Sequence, residues 1–440
     1  MPYYFHLGQL PKKRHTQFRR PDGRFYSEEV FGTEGFVGPT STLYHIHPPT
    51  QVHGWKPLYA TKVEYVERDI MRMRHLKTAP AKPHGDPVTG RRVIFGNEDC
   101  EMSICVPAEP MNYHYKNAMG DECHFIHFGS GTLYTMFGTL KFGPKDYLVI
   151  PKGTIYRIEF HHAGSHGRMA DHAAPLPPGV PFGKFLTIET ANGSHIGPPR
   201  RYVSKTTSQF LEHSPYCERD LRVPELPLTF DVRGEYEVRI KARGYVHSYT
   251  YDYHPLDVVG WDGCYYPYIF NVDDFAPITG KLHQPPPTHQ TFEAHNFVIC
   301  SFCPRMLDYH PQAVKVPYNH SNIDSDEVLY YVEGNFGSRK GIEVGSLTLH
   351  PQGIPHGPHP GTIEASLEAT HTAELAVMCD TFRPLYPTKA ALELDDPKYP
   401  ASWQGEHFPR AASGTVNGVQ AHGPDGRVPG VEKQANVWAP

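Results

Sequence analysis

Two histidines and one glutamate, His320, Glu327 and His356, stand on apolar segments that are interrupted by turn residues. Two neutral imidazoles and a carboxylate are borderline-to-hard ligands that suit Fe(II), Mn(II) or Zn(II). Three such ligands leave further coordination positions open, as in the facial triads of non-haem Fe(II) oxygenases. The spacing therefore predicts a metal site with redox chemistry as its leading use.

Short strands must position these ligands. Glu327 opens the run Val-Leu-Tyr-Tyr-Val, and His356 lies in a Pro-His-Gly turn, so two antiparallel strands can bring both to one barrel mouth. His350, six residues before His356, can point into the same cavity, towards substrate or in support of a ligand. His283 and His289 flank a stiff proline-bearing loop, where an acid–base group is often placed, and either could serve.

An internal repeat indicates the architecture. Residues 117–129 parallel residues 322–334, with Asn, an Asp-Glu pair and a closing Gly at identical intervals. Downstream, residues 147–156 parallel residues 347–356 around a shared Pro-x-Gly turn. Two copies of one strand–turn–strand plan predict duplicated small β-barrels of the jelly-roll kind.

The two copies differ at the candidate ligands. Tyr115 and Tyr156 stand where the second copy has its histidines, and of the three ligands only the glutamate is kept, as Glu122. We therefore expect the first barrel to be structural and the second to hold the metal.

The whole chain has an all-β texture, because short aromatic and β-branched runs are separated by Gly, Pro, Asn or Asp. Few short helices are expected. The predicted organisation is a strand-rich N-terminal arm (1–90), a degenerate barrel (91–250), a metal-binding barrel (251–390) and a Pro/Gly-rich tail (391–440) that wraps the surface or a neighbouring subunit.

Composition excludes several partners. The formal net charge of −5 offers no attraction to nucleic acid or to an anionic membrane, and no apolar run is long enough to span a bilayer. Eight cysteines in 440 residues do not form a disulfide pattern, and the N-terminus lacks the order of a signal peptide. A cytoplasmic location is expected.

At three segments, residues 257–268, 320–334 and 346–358, the chain resembles the homogentisate 1,2-dioxygenase family. The looser likeness covers most of residues 90 to 385. The resemblance implies a cupin-type double β-barrel, an Fe(II) cofactor, a small aromatic substrate with O2, and assembly into trimers or hexamers.

The resemblance also implies roles. His320, Glu327 and His356 would hold the iron, His350 would line the substrate site, and His283 would act as the base towards a substrate hydroxyl, with His289 as the fallback.

Two positions depart from the family pattern, and both are substrate-binding candidates, as is Tyr318. Glu333 stands where the family tends to place an arginine suited to a substrate carboxylate, and Phe336 replaces a tyrosine expected to hydrogen-bond the substrate. Arg339 or Lys340 could compensate.

The function that the resemblance implies is Fe(II)-dependent opening of homogentisate by O2 to maleylacetoacetate, in tyrosine and phenylalanine breakdown. Cleavage of another hydroquinone-type aromatic is the alternative within the enzyme class. A noncatalytic metal-binding bicupin is the alternative outside it, and a zinc-dependent cupin isomerase is a third option.

Overall fold

The structure is a computed structural model that describes residues 3–79, 81–161, 181–336, 338–339 and 341–404. Nearly all of its regular elements are strands, and the helices are short. The runs rich in Val, Ile, Tyr and Phe form these strands because such side chains fit a pleated, half-buried surface. The all-β prediction is confirmed.

The elements of the described residues are numbered in chain order. The strands are β1 Phe5–Gly8, β2 Ser27–Gly32, β3 Thr40–His45, β4 Gly54–Ala60, β5 Arg74–Leu76, β6 Arg91–Gly96, β7 Cys100–Cys105, β8 His114–Asn117, β9 Glu122–Phe128, β10 Gly131–Thr135, β11 Gly138–Phe142, β12 Asp146–Ile150, β13 Tyr156–Phe160, β14 Lys184–Thr190, β15 Leu221–Arg222, β16 Arg233–Ala242, β17 Tyr245–Tyr253, β18 Val258–Gly263, β19 Tyr268–Asn271, β20 Gln290–Ala294, β21 Phe297–Phe302, β22 Arg305–Met306, β23 Asp326–Glu333, β24 Leu347–His350, β25 His371–Thr372, β26 Leu375–Thr381 and β27 Tyr386–Pro387. The helices are α1 Thr362–Ser366 and α2 Lys389–Glu393, and the 3-10 turns are Glu34–Phe36, Arg200–Tyr202, Glu218–Asp220, Val272–Asp274, Pro286–His289 and Tyr399–Trp403.

The duplication is visible in the order of the strands. One sheet contains the run β12-β9-β14-β7-β6, and a second contains β24-β23-β26-β21-β20, in which each strand matches its counterpart in the first. Strands β11-β10-β13-β8 pack across the interior of the first barrel, whereas the short pair β22-β25 and loops line the cavity of the second in the part of the chain that the structure describes. The second barrel is therefore the more open of the two.

Hydrogen bonds repeat with the strands. The Asp121 carboxylate accepts from the Lys152 backbone N–H at 2.9 Å, and the Asp326 carboxylate accepts from the Gln352 N–H at 2.7 Å. Each aspartate directly precedes the glutamate of its copy, Glu122 or Glu327. It thus links the start of that strand to the Pro-x-Gly turn that follows the neighbouring strand. The predicted repeat is a structural duplication.

The two long sheets pack face to face. Val328 and Tyr330 of β23 share a buried core with Phe125 of β9 and Tyr147 of β12. A separate core fills the first barrel, where Ile126 meets residues of both its sheets. Because outward-facing residues of β23 are buried in the shared core, its alternate residues face the interior of the second barrel.

Pairing crosses the predicted domain boundaries. Strand β5 joins the sheet of the second barrel, β27 joins the sheet of the first, and β18 pairs with β1 and β3. The described residues up to Ser402 form one compact unit, and the boundaries at 90, 250 and 390 stay a prediction. Most of the predicted C-terminal tail lies outside the described residues. Among the described residues, no helix is long and apolar enough to cross a membrane.

Candidate metal centre and its cavity

Three donor side chains meet at one end of the second barrel. Glu327 is the second residue of β23, and a two-way backbone bridge joins His320 and His356, each N–H donating to the other's carbonyl at 2.8 Å. One ligand atom from each residue lies within 4.8 Å of the other two. Local strand pairing therefore brings together the trio that the sequence singled out.

The tautomers of both histidines suit metal binding. His320 Nδ1 lies 3.3 Å from the Tyr318 carbonyl, and His356 Nδ1 lies 3.1 Å from the Ile354 carbonyl, so each Nδ1 carries the proton. The Nε2 lone pairs are directed towards Glu327, at 3.7 and 3.5 Å from its carboxylate oxygens. His356 Nε2 is buried and has no hydrogen-bond partner. This donor set fits a divalent cation.

His350 lies beneath the ligands. It pairs directly opposite Glu327 across β23 and β24, and its Nδ1 is 2.7 Å from Glu327 Oε1. The ring stacks on His356 at 4.6 Å and contacts the Tyr399 hydroxyl at 3.3 Å. The side chain is wholly buried, and it does not line the cavity. The structure thus places His350 behind the carboxylate ligand, which is the supporting position that the sequence left open, whereas the family resemblance implied the substrate side.

The electrostatics of the trio favour an ionised carboxylate. Burial opposes the charge on Glu327, but the interactions of its carboxylate with the imidazoles of His320, His350 and His356 hold its pKa well below the usual range. Burial lowers the pKa of His350 to about 4, although its bond to Glu327 acts in the opposite direction. A neutral imidazole therefore supports a negatively charged ligand.

The first barrel carries an altered copy of this centre. Tyr115 pairs with Tyr156 across β8 and β13, as His320 pairs with His356. The Glu122 carboxylate accepts hydrogen bonds from the Tyr156 hydroxyl at 2.5 Å and from Arg91 at 2.7 Å. A guanidinium, in place of a metal ion, balances the charge of this glutamate. This ion pair supports the prediction that the first copy is structural, which stays a prediction.

A cavity of about 630 Å³ opens beside the metal trio, inside the second barrel. Glu327, Leu329 and Tyr331 line it from alternate positions of β23, as the pleat requires. The interior that hydrophobic side chains fill in the first barrel is here left open. Further side chains on its wall are Phe302, Leu307, Pro358, Thr362, Ala376 and Met378.

The loop candidates line this cavity. His283 is half-buried, lies edge-on to Tyr318 at 5.1 Å between ring centroids, and has Nδ1 3.9 Å from the Asp308 carboxylate. His289 is buried against Phe302, at 4.6 Å between ring centroids. The structure thus brings both histidines to the metal-facing cavity.

The two residues that depart from the family pattern, Phe336 and Glu333, lie in different places relative to the cavity. Phe336 lines the cavity and packs edge-on against Tyr331. Glu333 should follow Tyr331 on the same face of β23, but a register shift between them turns Glu333 outwards. Its side chain is half exposed and pairs with Lys145 at 3.1 Å. Glu333 therefore does not reach the cavity, which removes the predicted carboxylate from the substrate wall.

Four further charged residues line the cavity wall, and the sequence had predicted one of them. Arg339 was proposed from sequence, and it does line the cavity, while Lys340 lies outside the described residues. Arg305, Lys315 and Glu374 were missed. They stand on short strands and loops with no motif spacing, so only the tertiary fold reveals that they converge.

A cupin-type double barrel with two imidazoles and a carboxylate at its mouth defines a class of metal-dependent proteins. The family models for homogentisate 1,2-dioxygenase match in two parts, the N-terminal model over residues 217–272 and the C-terminal model over residues 272–411. The chain belongs to the homogentisate 1,2-dioxygenase family, which is a family of dioxygenases.

Similar proteins span nearly the whole chain. A protein of Saccharolobus solfataricus named “Putative dioxygenase” is 39% identical over 409 residues, covering 92% of this chain and 99% of its own length. A homogentisate 1,2-dioxygenase of Rhodopseudomonas palustris is 25% identical over 450 residues, covering 90% of each chain.

Solved structures with the cupin fold also align. A cupin 2 conserved barrel domain protein from Leptotrichia buccalis aligns at 10% identity over 74% of this chain and 100% of its own, with a TM-score of 0.29. An oxalate decarboxylase formate complex from Lactobacillus farciminis aligns at 12% identity over 73% of this chain and 89% of its own, with a TM-score of 0.32.

Proposed function

We propose that this protein is an Fe(II)-dependent ring-cleaving dioxygenase that uses O2 to open homogentisate to maleylacetoacetate, a step of tyrosine and phenylalanine breakdown. The observation that carries the proposal is the convergence of His320, Glu327 and His356 at the edge of a cavity large enough for a small aromatic. Family membership supplies the reaction class. The cytoplasmic location and the trimeric or hexameric assembly stay predictions.

Iron(II) is the ion that the donor set and the family favour together. Two imidazole nitrogens and one carboxylate, without a thiolate among them, suit a non-haem Fe(II) centre with open positions. His320, Glu327 and His356 would hold the ion, which when bound would supply electron transfer between a phenolic substrate and O2. His350 would keep the carboxylate of Glu327 oriented and ionised.

His283 is the better candidate base. Burial lowers its pKa, and the charges of Arg305 and His320 act in the same direction against that of Asp308, so the ring is neutral at pH 7 and can accept a phenolic proton. Burial lowers the pKa of His289 to about 3, which makes that ring too weak a base for the same task.

A second candidate substrate is another para-diphenol. Phe336 on the cavity wall has no hydroxyl to donate, and Glu333, at the position where the family tends to have an arginine, lies outside the cavity. Both observations allow a hydroquinone with a different side chain.

Oxygen uptake tests the proposal. Protein purified anaerobically and loaded with Fe(II) is mixed with homogentisate, gentisate or hydroquinone, and O2 consumption is followed beside ring-cleaved product. We expect stoichiometric O2 use with homogentisate, and its loss together with iron binding in His356→Ala. His53→Ala, at an exposed histidine of the surface, is the matched control and should keep both.

The outcomes are distinct. Iron-loaded protein that consumes no O2 with any of the three compounds contradicts the dioxygenase proposal and favours a noncatalytic bicupin. Uptake with gentisate or hydroquinone alone moves the proposal to the second candidate. Anaerobically purified protein that contains zinc and shows no preference for iron would favour a zinc-dependent isomerase.

A further inference from the structure

The cavity has a cationic wall away from the metal trio. Arg305, Lys315 and Arg339 line it, against the carboxylates of Glu374 and of the metal ligand Glu327. If Glu327 binds the metal, these three cations are opposed by one remaining anion, Glu374. A ligand of this cavity is therefore expected to carry a negative charge.

Two of the three cations are bound to the loops that frame the metal centre. Lys315 donates to the Asp308 carbonyl at 2.5 Å, and Arg339 donates to the carbonyls of Ser338 and Gly357, next to the ligand His356. Their positions serve the loops that frame the metal centre.

Arg305 is the cation with a loosely held partner. It is the first residue of β22, its side chain is 16% exposed, and it lies 3.7 Å from a carboxylate oxygen of Glu374, too far for a good hydrogen bond. One of its N–H groups donates to the Cys303 carbonyl at 3.1 Å. The guanidinium fork therefore keeps donors that a second carboxylate could take in the bidentate geometry that Arg favours.

The location suits an aromatic acid. Arg305 pairs with Glu374, the residue before Leu375 of β26, and Leu375 lies opposite Glu333, six residues along β23 from the metal ligand Glu327. Phe302 and Phe336 line the same cavity. A ring whose hydroxyl reaches the metal and His283 would thus direct a side chain away from the metal, towards Arg305.

On the basis of the proposed function, we propose that Arg305 is the carboxylate-binding residue of the substrate cavity, and that Glu374 holds its place until a substrate carboxylate displaces it. The subsite replaces, from a different strand, the arginine that the family tends to place at position 333. It assigns the substrate class as aromatic acids with a short carboxylate-bearing side chain. Arg305 sets specificity, and the metal centre performs the chemistry.

Opposite effects of two variants test the subsite. Arg305→Gln should weaken binding of a carboxylate-bearing ligand about 30-fold, because charge-assisted bidentate bonds are lost. Glu374→Gln should tighten it about threefold, because a competing, partly exposed anion is removed. Neither variant should change the binding of a neutral analogue of the same shape. Arg233→Gln, at an exposed arginine paired with Asp252, is the control and should change nothing.

Two readouts separate this inference from the proposed function. Calorimetry on metal-free protein uses phenylacetate against phenylacetamide, so it needs no turnover. Oxygen uptake with Fe(II)-loaded protein compares the kcat/KM for homogentisate with that for methylhydroquinone, which has no carboxylate. If no para-diphenol is turned over, the proposed function fails and calorimetry alone decides on Arg305.

Several results would overturn the inference. Wild-type protein that does not bind phenylacetate, or binds the acid and the amide equally, has no carboxylate subsite. An Arg305→Gln variant that loses affinity equally for charged and neutral ligands has lost the shape of the cavity instead of a charge partner. A Glu374→Gln variant that weakens phenylacetate binding shows that Glu374 supports the subsite and does not compete for it.

Discussion

His350 offers the sharpest test of how the metal centre is built. Its Nδ1 is 2.7 Å from Glu327 Oε1, and both side chains are buried, so His350→Ala removes a hydrogen bond to an ionised ligand. Such a bond contributes about 1.5–3 kcal/mol. Because each 1.4 kcal/mol changes an equilibrium constant about tenfold, metal affinity should fall about 10- to 100-fold.

The assay is anaerobic competition for Fe(II) between the protein and a chelating dye, followed by homogentisate kinetics at saturating iron. We expect a weaker Fe(II) Kd in His350→Ala and an almost unchanged KM. His350→Asn is the matched control, because its amide can still donate near the Nδ1 position and should restore most of the affinity. Unfolding curves confirm that both variants are folded at the assay temperature.

The competing role, contact with substrate, makes the opposite prediction. If His350→Ala raises the KM for homogentisate and leaves the Fe(II) Kd unchanged, then His350 reaches the substrate and the support role is wrong. An Asn variant as weak in metal binding as the Ala variant would show that the stacking of the ring, and not its N–H, holds the carboxylate.

Three further predictions concern stability, measured by denaturant unfolding. Arg91→Met should lower the free energy of unfolding by about 3–5 kcal/mol, because Glu122 is left buried without its cation. Adding Glu122→Met should recover most of this stability. Equal losses in the single and the double variant would contradict the prediction. Gly334→Ala should lower the free energy of unfolding by about 1–3 kcal/mol, since φ is 93° and a Cβ would lie 2.2 Å from the Ala373 carbonyl oxygen. Gly244→Ala, where φ is 78° and the space around the Cβ is open, should lower it less. Equal losses in the two variants would show that the backbone angle alone is responsible. Burial opposes the charge on His45, but hydrogen bonds to two carboxylates raise its pKa to about 9. The stability that this charge adds to the folded state is therefore complete below pH 6.5 and is lost as the pH rises to about 9. A His45→Asn variant that loses as much stability at alkaline pH as the wild type would refute this.

Much of the fold could be predicted because the repeat is written locally. The Asp-Glu pair and the Pro-x-Gly turn recur at fixed spacing, and within each copy the aspartate carboxylate binds a backbone N–H of the turn, as Asp326 does with Gln352. The trio of His320, Glu327 and His356 was found for the same reason. Glu327 lies at the start of a strand whose alternation can be read directly, and His320 and His356 stand before and after that strand along the chain.

What the sequence left open depends on tertiary structure. Alternation along β23 places Glu333 on the cavity face, and only the register shift after Tyr331 turns it away. Arg91 precedes the first repeat, so its pairing with Glu122 has no local signal. Arg305 reaches the cavity because β22 pairs with β25, a contact between two-residue strands that no periodicity predicts.

The strands that cross between the halves have a consequence for synthesis. Leu76 of β5 pairs with Leu347 of β24, and Phe5 of β1 pairs with Gly263 of β18. During translation, the N-terminal strands leave the ribosome long before their partners exist, so their edges stay unpaired until the second barrel emerges. Such non-local pairing slows folding and exposes strand edges to aggregation. Neither half is therefore expected to fold when expressed alone, and the metal centre can be completed only after nearly the whole chain is made.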